Sequence, residues 1–563
     1  MDSSEVTVRI LLIASAFNSL TQRVQAELHD RGHQAPAEVV GTPQEVRAAV
    51  VRHDPELILA PMLKTAVPAD VWSRHTCLIV HPGPPGDRGP SSLDRAVLDG
   101  ERAWGVTVLQ ANAEMDAGDI WADEAFPLPA AGKSDVYRGE LSDAALRAVL
   151  RAVDRVASGR HRPRPQTGLP IRVRPPLTQA ERRIDWAADD TAAVLRTLRA
   201  ADSQPGVRAE LLGGAWFLHG GHPEDELRGT PGSVLATRAG AICLATADGA
   251  VWIPELRPAR TPGGPAPVKL PAVLALGERL PAVPDLPAPL RIPAGRSTFS
   301  DIRYEEHGEA GVLRFSFPGG AMSTDRCRRL LAAYRAACAR PTRVLVLGGA
   351  RDFFSNGIHL GVIEAAADPA AESWANIEAI DDLVEAVLGT TDRLVVAALG
   401  GNAAAGGVML ALAADEVWCR DGAVLNPHYR LMGLPGSEYW TYTLPARVGP
   451  ETAEALLRAA EPVSADRARR LGLVDRVVPC GPAAFPERVA ELAAELAADP
   501  AAHQRITEKK RRRARDEAAK PLAAYRAEEL ARMRRTFSDP DAPYHALRSA
   551  FVRKQPAPAP APR

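Results

Sequence analysis

Two stretches in which short apolar runs alternate with helical patterns, separated by a proline-rich segment, constrain the fold of this chain most. In the first stretch the runs are VRILLIASA, ELILAPML, HTCLIVHPG and GVTVLQANA, and a helix is predicted from about Leu20 to Arg31. Alternation of this kind predicts a parallel, doubly wound α/β sheet that binds ligands at the carboxyl ends of its strands. The second stretch shows the same alternation, and its apolar runs are GVLRFSF, TRVLVLGG, RLVVAALGG and ADEVWCR.

Between the two stretches the sequence changes twice. Residues 205–275 contain short β-rich runs with a hairpin signal at Asp248-Gly249, which predicts a small OB-like β-barrel or a sandwich. The run LPAVPDLPAPLRIPAG follows at 280–295, and its prolines block regular hydrogen-bonded structure. We therefore expect the main domain boundary there. Residues from about Ala465 to Phe537 are predicted to be helical almost throughout.

These patterns predict an α/β multidomain protein with five segments. They are a Rossmann-like domain at 1–175, a small β domain at 176–278, a linker at 279–297, a second α/β domain with C-terminal helices at 298–545, and a disordered Pro/Ala-rich tail at 546–563. A chain of 563 residues is long enough for three or four domains, at a prior of about 150 residues each.

Charge and cysteine content exclude several functional classes. The 68 basic and 69 acidic side chains nearly cancel, so neither nucleic acid nor an anionic membrane is expected as a partner. Six cysteines are scattered without metal-ligand spacing, so we predict no metal site and no disulfide framework, and reduced thiols indicate the cytoplasm. The first residues lack a basic n-region, and no segment approaches 18 uninterrupted apolar residues, so neither a signal peptide nor an anchor is expected. The basic run EKKRRRAR at 508–515 is interpreted as a solvated helix face or a subunit contact.

The amino-terminal stretch brings two chemically active side chains to the ends of strands. In HPGPPGDRGPSSLDRAVLDGERAWGVTVLQANAEMDAGDI, His81 ends one predicted strand and Asp116 follows the next. A carboxylate beside an imidazole orients and charges it, so this pair is predicted to act as general acid or base.

The same segment resembles the folate-dependent formyltransferases, which include the methionyl-tRNA and glycinamide ribonucleotide enzymes. RIDW and GTPGSVLA extend the resemblance over roughly residues 6–275. It implies 10-formyltetrahydrofolate as the formyl donor, with His81 and Asp116 matching the family histidine and aspartate, and Arg88 with Gly89 matching its loop.

One position departs from the formyltransferase pattern. The family has asparagine two residues before its histidine, where this chain has Ile79. Isoleucine donates no hydrogen bond, so oxyanion stabilisation is expected from protonated His81, from backbone amides or from another side chain. Either the acceptor chemistry is altered or the activity is weakened.

The carboxyl-terminal half, over roughly residues 300–540, resembles the crotonase (enoyl-CoA hydratase/isomerase) superfamily. The resemblance rests on GGARDFFSNGIHL, LVVAALGGNAAAGGVMLALAADEVW and LNPHYRLMGLPGSEYWTYTLPARVG. It implies an oxyanion hole for an acyl-CoA thioester, and the matching positions are Asn356, preceding Gly357, and Gly406. Small residues let the backbone approach the thioester.

The two acid/base glutamates of the hydratases are missing. Met409 and His428 stand at their positions, and a thioether moves no protons, so ordinary hydration is not expected. His428, Tyr429 and Glu438 remain near the expected thioester, and Tyr439 follows Glu438. The aromatic residues of YWTY are interpreted mainly as packing.

Together, SAFNSLTQR, HPGPPGDRGPSSLD, FFSNGIHL and NPHY…GSEYW resemble the HypX/HoxX family of hydrogenase maturation factors over nearly the whole chain. The resemblance implies formyl transfer from 10-formyltetrahydrofolate to coenzyme A (CoA), then decarbonylation of formyl-CoA to carbon monoxide for a nickel-iron hydrogenase. Glu438 is the candidate base, Tyr429 the candidate acid or orienting group, and His428 the second choice. An internal passage for the intermediate and transient contact with hydrogenase maturation proteins are expected.

Three alternatives stay open. The first is a formyltransferase for another acceptor with an inert carboxyl-terminal scaffold, against which Ile79 counts mildly. The second is a non-catalytic sensor or scaffold, disfavoured by the retained His81 and Asp116. The third is an acyl-CoA hydratase with a folate-binding appendage, disfavoured by Met409 and His428.

Overall fold

The computed structural model describes residues 7–556, which group into two compact units. The first unit contains the chain up to residue 182 with 199–204 and 462–467, and the second contains 183–198, 205–461 and 468 onward. The main domain boundary expected at the proline-rich segment 280–295 stays a prediction. That segment carries no regular strand or helix, but residues on both sides of it belong to one compact unit.

The amino-terminal region is a mixed α/β fold. Its strands are β1 (Ile10–Ala14), β2 (Ala37–Val39), β3 (Leu57–Met62), β4 (Thr76–His81), β5 (Asp87–Arg88), β6 (Ala103–Gln110), β7 (Ile120–Pro127) and β8 (Arg172–Val173). Its helices are α1 (Ser19–Asp30), α2 (Pro43–His53), α3 (Ala69–Trp72), α4 (Ser92–Asp99), α5 (Lys133–Val136) and α6 (Ser142–Ser158), with a π-helical turn at Tyr137–Leu141. The predicted helix at Leu20 to Arg31 is confirmed by α1 within one residue at each end.

The main sheet has the order β2-β1-β3-β4-β6-β7. The first four strands are parallel, as predicted, but β6 runs antiparallel to both β4 and β7. The purely parallel prediction was therefore wrong at this edge, because strand periodicity carries no information about strand direction. Buried apolar side chains form one core on each face of the sheet.

The middle region confirms the predicted β-rich domain. It contains α7 (Thr191–Ala201), β9 (Val207–Leu211), β10 (Gly214–His219), β11 (His222–Glu224), β12 (Val234–Arg238), β13 (Ala241–Ala245), β14 (Ala250–Ile253), β15 (Glu255–Pro258), β16 (Leu270–Pro271), α8 (Ala272–Leu276) and a 3₁₀ turn at Gly277–Arg279. The strands form two four-stranded sheets, β16-β15-β10-β9 and β11-β14-β13-β12, and in the described residues neither closes into a barrel. The predicted hairpin at Asp248-Gly249 joins β13 to β14.

The carboxyl-terminal half is a second α/β fold. Its strands are β17 (Ile302–His307), β18 (Ala310–Phe315), β19 (Val344–Gly348), β20 (Phe353–Ser355), β21 (Leu394–Leu399), β22 (Asn402–Ala404), β23 (Glu416–Arg420), β24 (Val424–Asn426), β25 (Val463–Ser464) and β26 (Arg476–Val478). Its helices are α9 (Thr324–Cys338), α10 (Leu360–Ala365), α11 (Pro369–Gly389), α12 (Gly406–Leu412), α13 (Trp440–Val448), α14 (Pro450–Ala459), α15 (Ala465–Leu471), α16 (Phe485–Ala498), α17 (Ala502–Ala519), α18 (Leu522–Ser538) and α19 (Pro543–Arg553), and 3₁₀ turns lie at Pro318–Gly320 and Arg430–Met432.

Two layers of strands position the loops of this half. The larger sheet has the order β17-β18-β19-β21-β23-β26, and it is parallel from β18 onward. The short strands β20, β22 and β24 pair in parallel beside it, so the turns that follow β20 and β22 lie next to each other. Helix α11 begins at Pro369, where the Asp368 side chain accepts hydrogen bonds from two backbone amides of the first turn.

The carboxyl-terminal segment departs from its prediction in part. Helix α19 extends to Arg553, so the disordered tail predicted from residue 546 was wrong for 546–553, and residues 557–563 lie outside the described part of the chain. The basic run 508–515 lies on α17, where Lys510, Arg511 and Arg512 are exposed and Lys509 is buried against Asp415. Among the helices of residues 7–556, none combines the length and the apolar character needed to span a bilayer.

Candidate active sites

His81, the last residue of β4, lies between two carboxylates. Its Nε2 is 3.2 Å from Asp87 Oδ1 and its Nδ1 is 3.4 Å from Asp116 Oδ2. The imidazole is 3% exposed, so both contacts are shielded from water. An imidazole with a carboxylate at each nitrogen is held in a fixed orientation, and imidazole is a side chain suited to general acid–base chemistry.

The loop that follows β6 holds Asp116 in place. Asp116 has a φ of 54°, in the left-handed region, and its Oδ2 accepts a hydrogen bond of 2.9 Å from the backbone amide of Gly89. Gln166 Nε2 donates to the carbonyl oxygens of Asp116 and Gly118 at 2.9 and 2.8 Å. Strained backbone held by several bonds is typical of a functional position. The predicted meeting of His81 and Asp116 is therefore present in the structure.

Asp87 was missed by the sequence reasoning, although it lies only six residues after His81. Its carboxylate is buried, and its Oδ2 accepts a hydrogen bond of 2.6 Å from Arg174 Nε. Burial alone would raise the pKa of Asp87, but hydrogen bonds from His81, Ser92 and Arg174 outweigh it and hold that pKa below its usual value. Asp87 is thus a fixed negative charge on the opposite side of the ring from Asp116.

The remaining predicted residues, Arg88 and Gly89, belong to the segment beside the His81 pair, and Ile79 lies in β4. Arg88 is paired with Glu114 at 2.5 Å, and Gly89 has a φ of 115° where a methyl group would lie 2.0 Å from the carbonyl oxygen of Arg174. Ile79 contributes to the apolar cluster on one face of the sheet and brings no donor to the site. Only glycine fits position 89, because both its backbone conformation and its surroundings exclude a side chain.

Two glycine turns meet in the carboxyl-terminal half. A methyl group on Gly357 would lie 3.3 Å from the backbone nitrogen of Gly406. The amide of Asn356, one of the positions predicted for the oxyanion hole, instead donates to Gly320 O at 2.7 Å, and the amide of Gly357 donates to Ser355 Oγ at 3.1 Å. The prediction for Asn356 was therefore wrong, because its N–H is consumed by the neighbouring turn.

Two other backbone amides of these turns are open. Within residues 7–556, no group accepts a hydrogen bond from the N–H of Ile358 or of Gly406. Ile358 is half-buried in the turn after β20, and Gly406 is the first residue of α12, where an N–H has no acceptor within the helix. This pair is the best candidate for an oxyanion hole, and Ile358 was not among the sequence-predicted residues.

Glu438 lies against Gly406 and is almost fully buried. Its Oε2 accepts hydrogen bonds from Tyr429 OH at 2.8 Å and from Ser437 Oγ at 3.1 Å. Its Oε1 is on the side of α12, where a methyl group on Gly406 would lie 2.0 Å away. Oε1 accepts no hydrogen bond from the described residues, so one oxygen is held and the other is available beside the candidate oxyanion hole.

Burial sets the proton affinity of this carboxyl. Burial raises the pKa of Glu438 to about 7, although the hydrogen bonds from Tyr429 and Ser437 lower it, and the charge of Glu529 adds to the rise. Burial also raises the pKa of Tyr429, and the neighbouring Glu438 carboxylate raises it further. Glu438 can therefore exchange a proton near neutral pH, whereas Tyr429 keeps its proton and donates it in a hydrogen bond.

The other predicted residues are placed differently. Met409 is fully buried in α12. Burial lowers the pKa of His428, whose Nδ1 has no hydrogen-bond partner among the described residues. Tyr439 directs its hydroxyl to Glu385 Oε2 at 2.9 Å instead of to Glu438. Of the predicted carboxyl-terminal residues, Gly406, Tyr429 and Glu438 are the ones that the structure joins in one contact network.

Two carboxyls beneath this network were also missed. Asp381 Oδ1 accepts the backbone N–H of Glu438 at 2.9 Å, and Glu529 Oε2 accepts that of Tyr439 at 2.8 Å. Glu438 and Tyr439 have φ angles of 59° and 58°, so two consecutive side-chain-bearing residues lie in the left-handed region. No local pattern in the sequence marks Asp381 or Glu529, since each is one acid within an ordinary helix.

Comparison with known proteins agrees with this division. The family described as "Formyl transferase" matches residues 8–153, "Formyl transferase, C-terminal domain" matches 176–263, and "Enoyl-CoA hydratase/isomerase" matches 321–556. These matches confirm the predicted fold class and the resemblance to both families.

Relatives that cover the whole chain are also found. A protein named hydrogenase maturation factor HoxX, from Bradyrhizobium diazoefficiens, is 49% identical over 98% of this chain and 95% of its own length. The crystal structure of HypX from Aquifex aeolicus in complex with tetrahydrofolic acid superposes with a TM-score of 0.94 at 43% identity, covering 98% of this chain and 96% of that one. A methionyl-tRNA formyltransferase from Heliobacterium modesticaldum is 27% identical over 36% of this chain and 65% of its own.

Proposed function

This chain belongs to the HypX/HoxX family of hydrogenase maturation factors, and from that premise we propose that it synthesises carbon monoxide in two steps. The first step transfers a formyl group from 10-formyltetrahydrofolate to CoA, and the second decarbonylates the resulting formyl-CoA. One observation carries the proposal: a single chain holds an imidazole between two carboxylates and, separately, a buried carboxyl of near-neutral pKa beside two open backbone amides.

In the first step the CoA sulfur attacks the formyl carbon, and the bond from that carbon to N10 of the folate breaks. His81 accepts the thiol proton and returns it to N10, so tetrahydrofolate and formyl-CoA are the products. Asp87 and Asp116 stabilise the imidazolium that forms between the two transfers. Because Ile79 offers no donor, the charge on the formyl oxygen is stabilised by this imidazolium.

In the second step the formyl C–H bond and the C–S bond both break. Glu438 Oε1 takes the formyl proton, the C–S electron pair leaves on sulfur, and the thiolate then takes a proton back from Glu438, which gives carbon monoxide and CoA. Tyr429 orients the carboxyl through Oε2. The amides of Ile358 and Gly406 hold the thioester carbonyl, a role that preorganised backbone donors fill well in a dry site.

The test is carbon monoxide release into a haem-protein trap from purified protein with 10-formyltetrahydrofolate and CoA. His81→Ala is expected to lose carbon monoxide release and to regain it when formyl-CoA is supplied. Glu438→Gln is expected to accumulate formyl-CoA while carbon monoxide release falls by about 100-fold or more, the usual loss for a general base. Glu508→Gln, the same exchange at an exposed position of α17, is the matched control and keeps full activity.

The alternative makes a different prediction in the same assay. If the wild type consumes the folate in the presence of other acceptors but never forms carbon monoxide from CoA, the carboxyl-terminal half is not a decarbonylase. The protein is then a formyltransferase for another acceptor with a non-catalytic scaffold, and the two-step proposal is rejected.

We propose that the product reaches a nickel-iron hydrogenase through transient contact with hydrogenase maturation proteins in the cytoplasm. The name of the Bradyrhizobium relative supports this setting, and the described residues 7–556 contain no disulfide bond. Co-purification of the chain with maturation proteins under turnover conditions, lost when the folate is omitted, tests it.

A further inference from the structure

Asp381, in the middle of α11, is a buried carboxyl that the proposed reaction does not use. It is 0% exposed. Its Oδ1 accepts the backbone N–H of Glu438 at 2.9 Å, and its Oδ2 has no hydrogen-bond partner among residues 7–556. Asp381 therefore contacts the strained turn that carries Glu438, with one oxygen hydrogen-bonded and the other buried without a partner.

No cation compensates Asp381 directly within the described structure. The guanidinium of Arg526 on α18, whose charge acts on Asp381, donates hydrogen bonds instead to the carboxylates of Glu385 at 2.7 Å and Asp382 at 2.6 Å. The charged or titratable groups that interact electrostatically with Asp381 are Arg526 and Glu529 on α18 and Tyr429, Glu438 and Tyr439 near the turn, and Cys327 on α9 interacts with Glu438. Of the other helices packed on α11, α10 carries one ionisable group, Glu364, and α12 carries none. Glu364 is itself paired with Arg548 at 3.0 Å.

We propose that Asp381 carries a proton in the working enzyme, with the proton on Oδ2, so that the buried pair Asp381 and Glu438 holds a single negative charge and that charge lies on Glu438. A buried ionised carboxylate with an unpartnered oxygen is strongly unfavourable, whereas a neutral acid there leaves one O–H donor unpaired, which costs much less than an unpaired charge. Two neighbouring buried carboxyls also resist being charged together.

The electrostatics of the cluster agree with this placement. Burial raises the pKa of Asp381 well above its usual value, and the charges of Glu438 and Glu529 raise it further. The pKa of Glu438 is raised less, because Tyr429 and Ser437 donate hydrogen bonds to its carboxylate. Glu438, whose carboxylate accepts hydrogen bonds from side chains, therefore carries the negative charge, and Asp381, whose Oδ2 accepts none from the described residues, carries the proton.

Asp381 is thus a positioning residue. It fixes the Glu438 backbone through Oδ1, and as a neutral acid it adds no second charge that would make Glu438 harder to ionise. The effect on rate rests on the proposed decarbonylation, but the protonation state does not, so the two can fail separately.

The direct test is infrared difference spectroscopy of the whole protein labelled with ¹³C at the aspartate side-chain carboxyls. At pH 7 we expect one protonated carboxylic acid band that carries the isotope shift. Asp381→Asn removes the band, and Asp381→Glu, which keeps a carboxyl without the label, removes the shifted band as well. The exposed control Asp325→Asn leaves it in place. Absence of a labelled acid band from the wild type at pH 7 overturns the proposal whatever the variants do.

A second readout uses the pH dependence of carbon monoxide release from formyl-CoA. Asparagine resembles protonated aspartate in shape and charge, so Asp381→Asn is expected to leave the apparent pKa of the reaction unchanged. A fall of one unit or more in that pKa would show that Asp381 is charged in the wild type. If no variant or wild type releases carbon monoxide but the infrared band behaves as expected, the function fails and this inference stands.

Discussion

The Glu438 carboxylate packs directly against the Cα atom of Gly406. The Glu438 carboxylate lies where the side chain of any other residue at 406 would be, and the Gly406 amide is one of the two open donors. Glycine is therefore required at this position for the fit of the proposed base as well as for access by the thioester.

Gly406→Ala is expected to displace Glu438 from its bonds with Tyr429 and Ser437, since the added methyl group would lie 2.0 Å from Oε1. Carbon monoxide release from formyl-CoA should fall by about 100-fold, as for loss of a general base, while formyl transfer from the folate continues. Gly389→Ala, where nothing lies within 4 Å of the new methyl group, is the matched control. Equal loss in both variants contradicts the fit described here.

The raised pKa of Glu438 predicts opposite effects of pH on activity and stability. The base is the carboxylate, so carbon monoxide release should rise as the pH passes through about 7. Between the ordinary glutamate value of 4.5 and about 7, the folded state binds more protons here than the unfolded state, so the contribution of Glu438 to stability falls as the pH rises.

Glu438→Gln removes this titration. The melting temperature of the variant minus that of the wild type is expected to be larger at pH 8 than at pH 5. The reason is that only the wild type must hold a buried charge at the higher pH. Thermal unfolding of both proteins at the two pH values measures this. A difference in melting temperature that does not change with pH is incompatible with a Glu438 pKa near 7.

At the scale of elements, α18 fixes the start of α13. Glu529 accepts the backbone amides of Tyr439 and Thr441, each at 2.8 Å, so it fills the cap that the left-handed Tyr439 does not supply from its own side chain. A carboxylate also interacts favourably with the positive end of a helix. The orientation of Glu438 thus depends on a residue 91 positions later in the chain.

Glu529→Ala is expected to lower the free energy of unfolding by about 1–3 kcal/mol, the usual cost of leaving buried donors without an acceptor. Decarbonylation should fall with it, whereas consumption of 10-formyltetrahydrofolate should not. Urea unfolding and the two product assays measure these effects. Glu528→Ala, at an exposed position next to it, is the control, and the same losses there argue against the capping role.

At the scale of the whole molecule, the small β domain contacts the carboxyl-terminal half through buried charges. Glu255 on β15 is bonded to Lys269 at 2.6 Å and lies 3.9 Å from Arg326 on α9. Burial alone would raise the pKa of Glu255, but Lys269 and Arg326 lower it to about 2. His359, which follows the turn of Ile358, lies in the same electrostatic cluster. The β domain therefore supports the turn that carries one of the open amides.

Lys269→Met is expected to destabilise this region by about 3–5 kcal/mol, because it leaves Glu255 as a buried charge with one distant partner. Amide hydrogen exchange should report loss of protection in β15 and α10, and decarbonylation should weaken. Lys510→Met, on the exposed face of α17, is the control. Unchanged protection in Lys269→Met would falsify a supporting role for this cluster.

Local sequence patterns predicted most secondary-structure elements and several residues of the two candidate sites. Apolar periodicity is a local property, so α1, β4 and the hairpin at Asp248-Gly249 were predicted where they occur. Motifs within short segments also predicted His81, Asp116, Gly406, Tyr429 and Glu438 as candidate site residues. Each of these motifs consists of residues that are neighbours in the sequence.

Strand direction, domain grouping and the hydrogen-bond partners in each candidate site could be known only from the folded structure. The antiparallel β6, the open amide of Ile358 and the bonded amide of Asn356, and the carboxyls of Asp87, Asp381 and Glu529 all depend on which groups meet after folding. Hydrogen-bond satisfaction and desolvation act through space, and the bonded residues lie up to 90 positions apart along the chain. A pattern confined to a few neighbouring residues therefore cannot predict contacts between residues that are distant in the sequence.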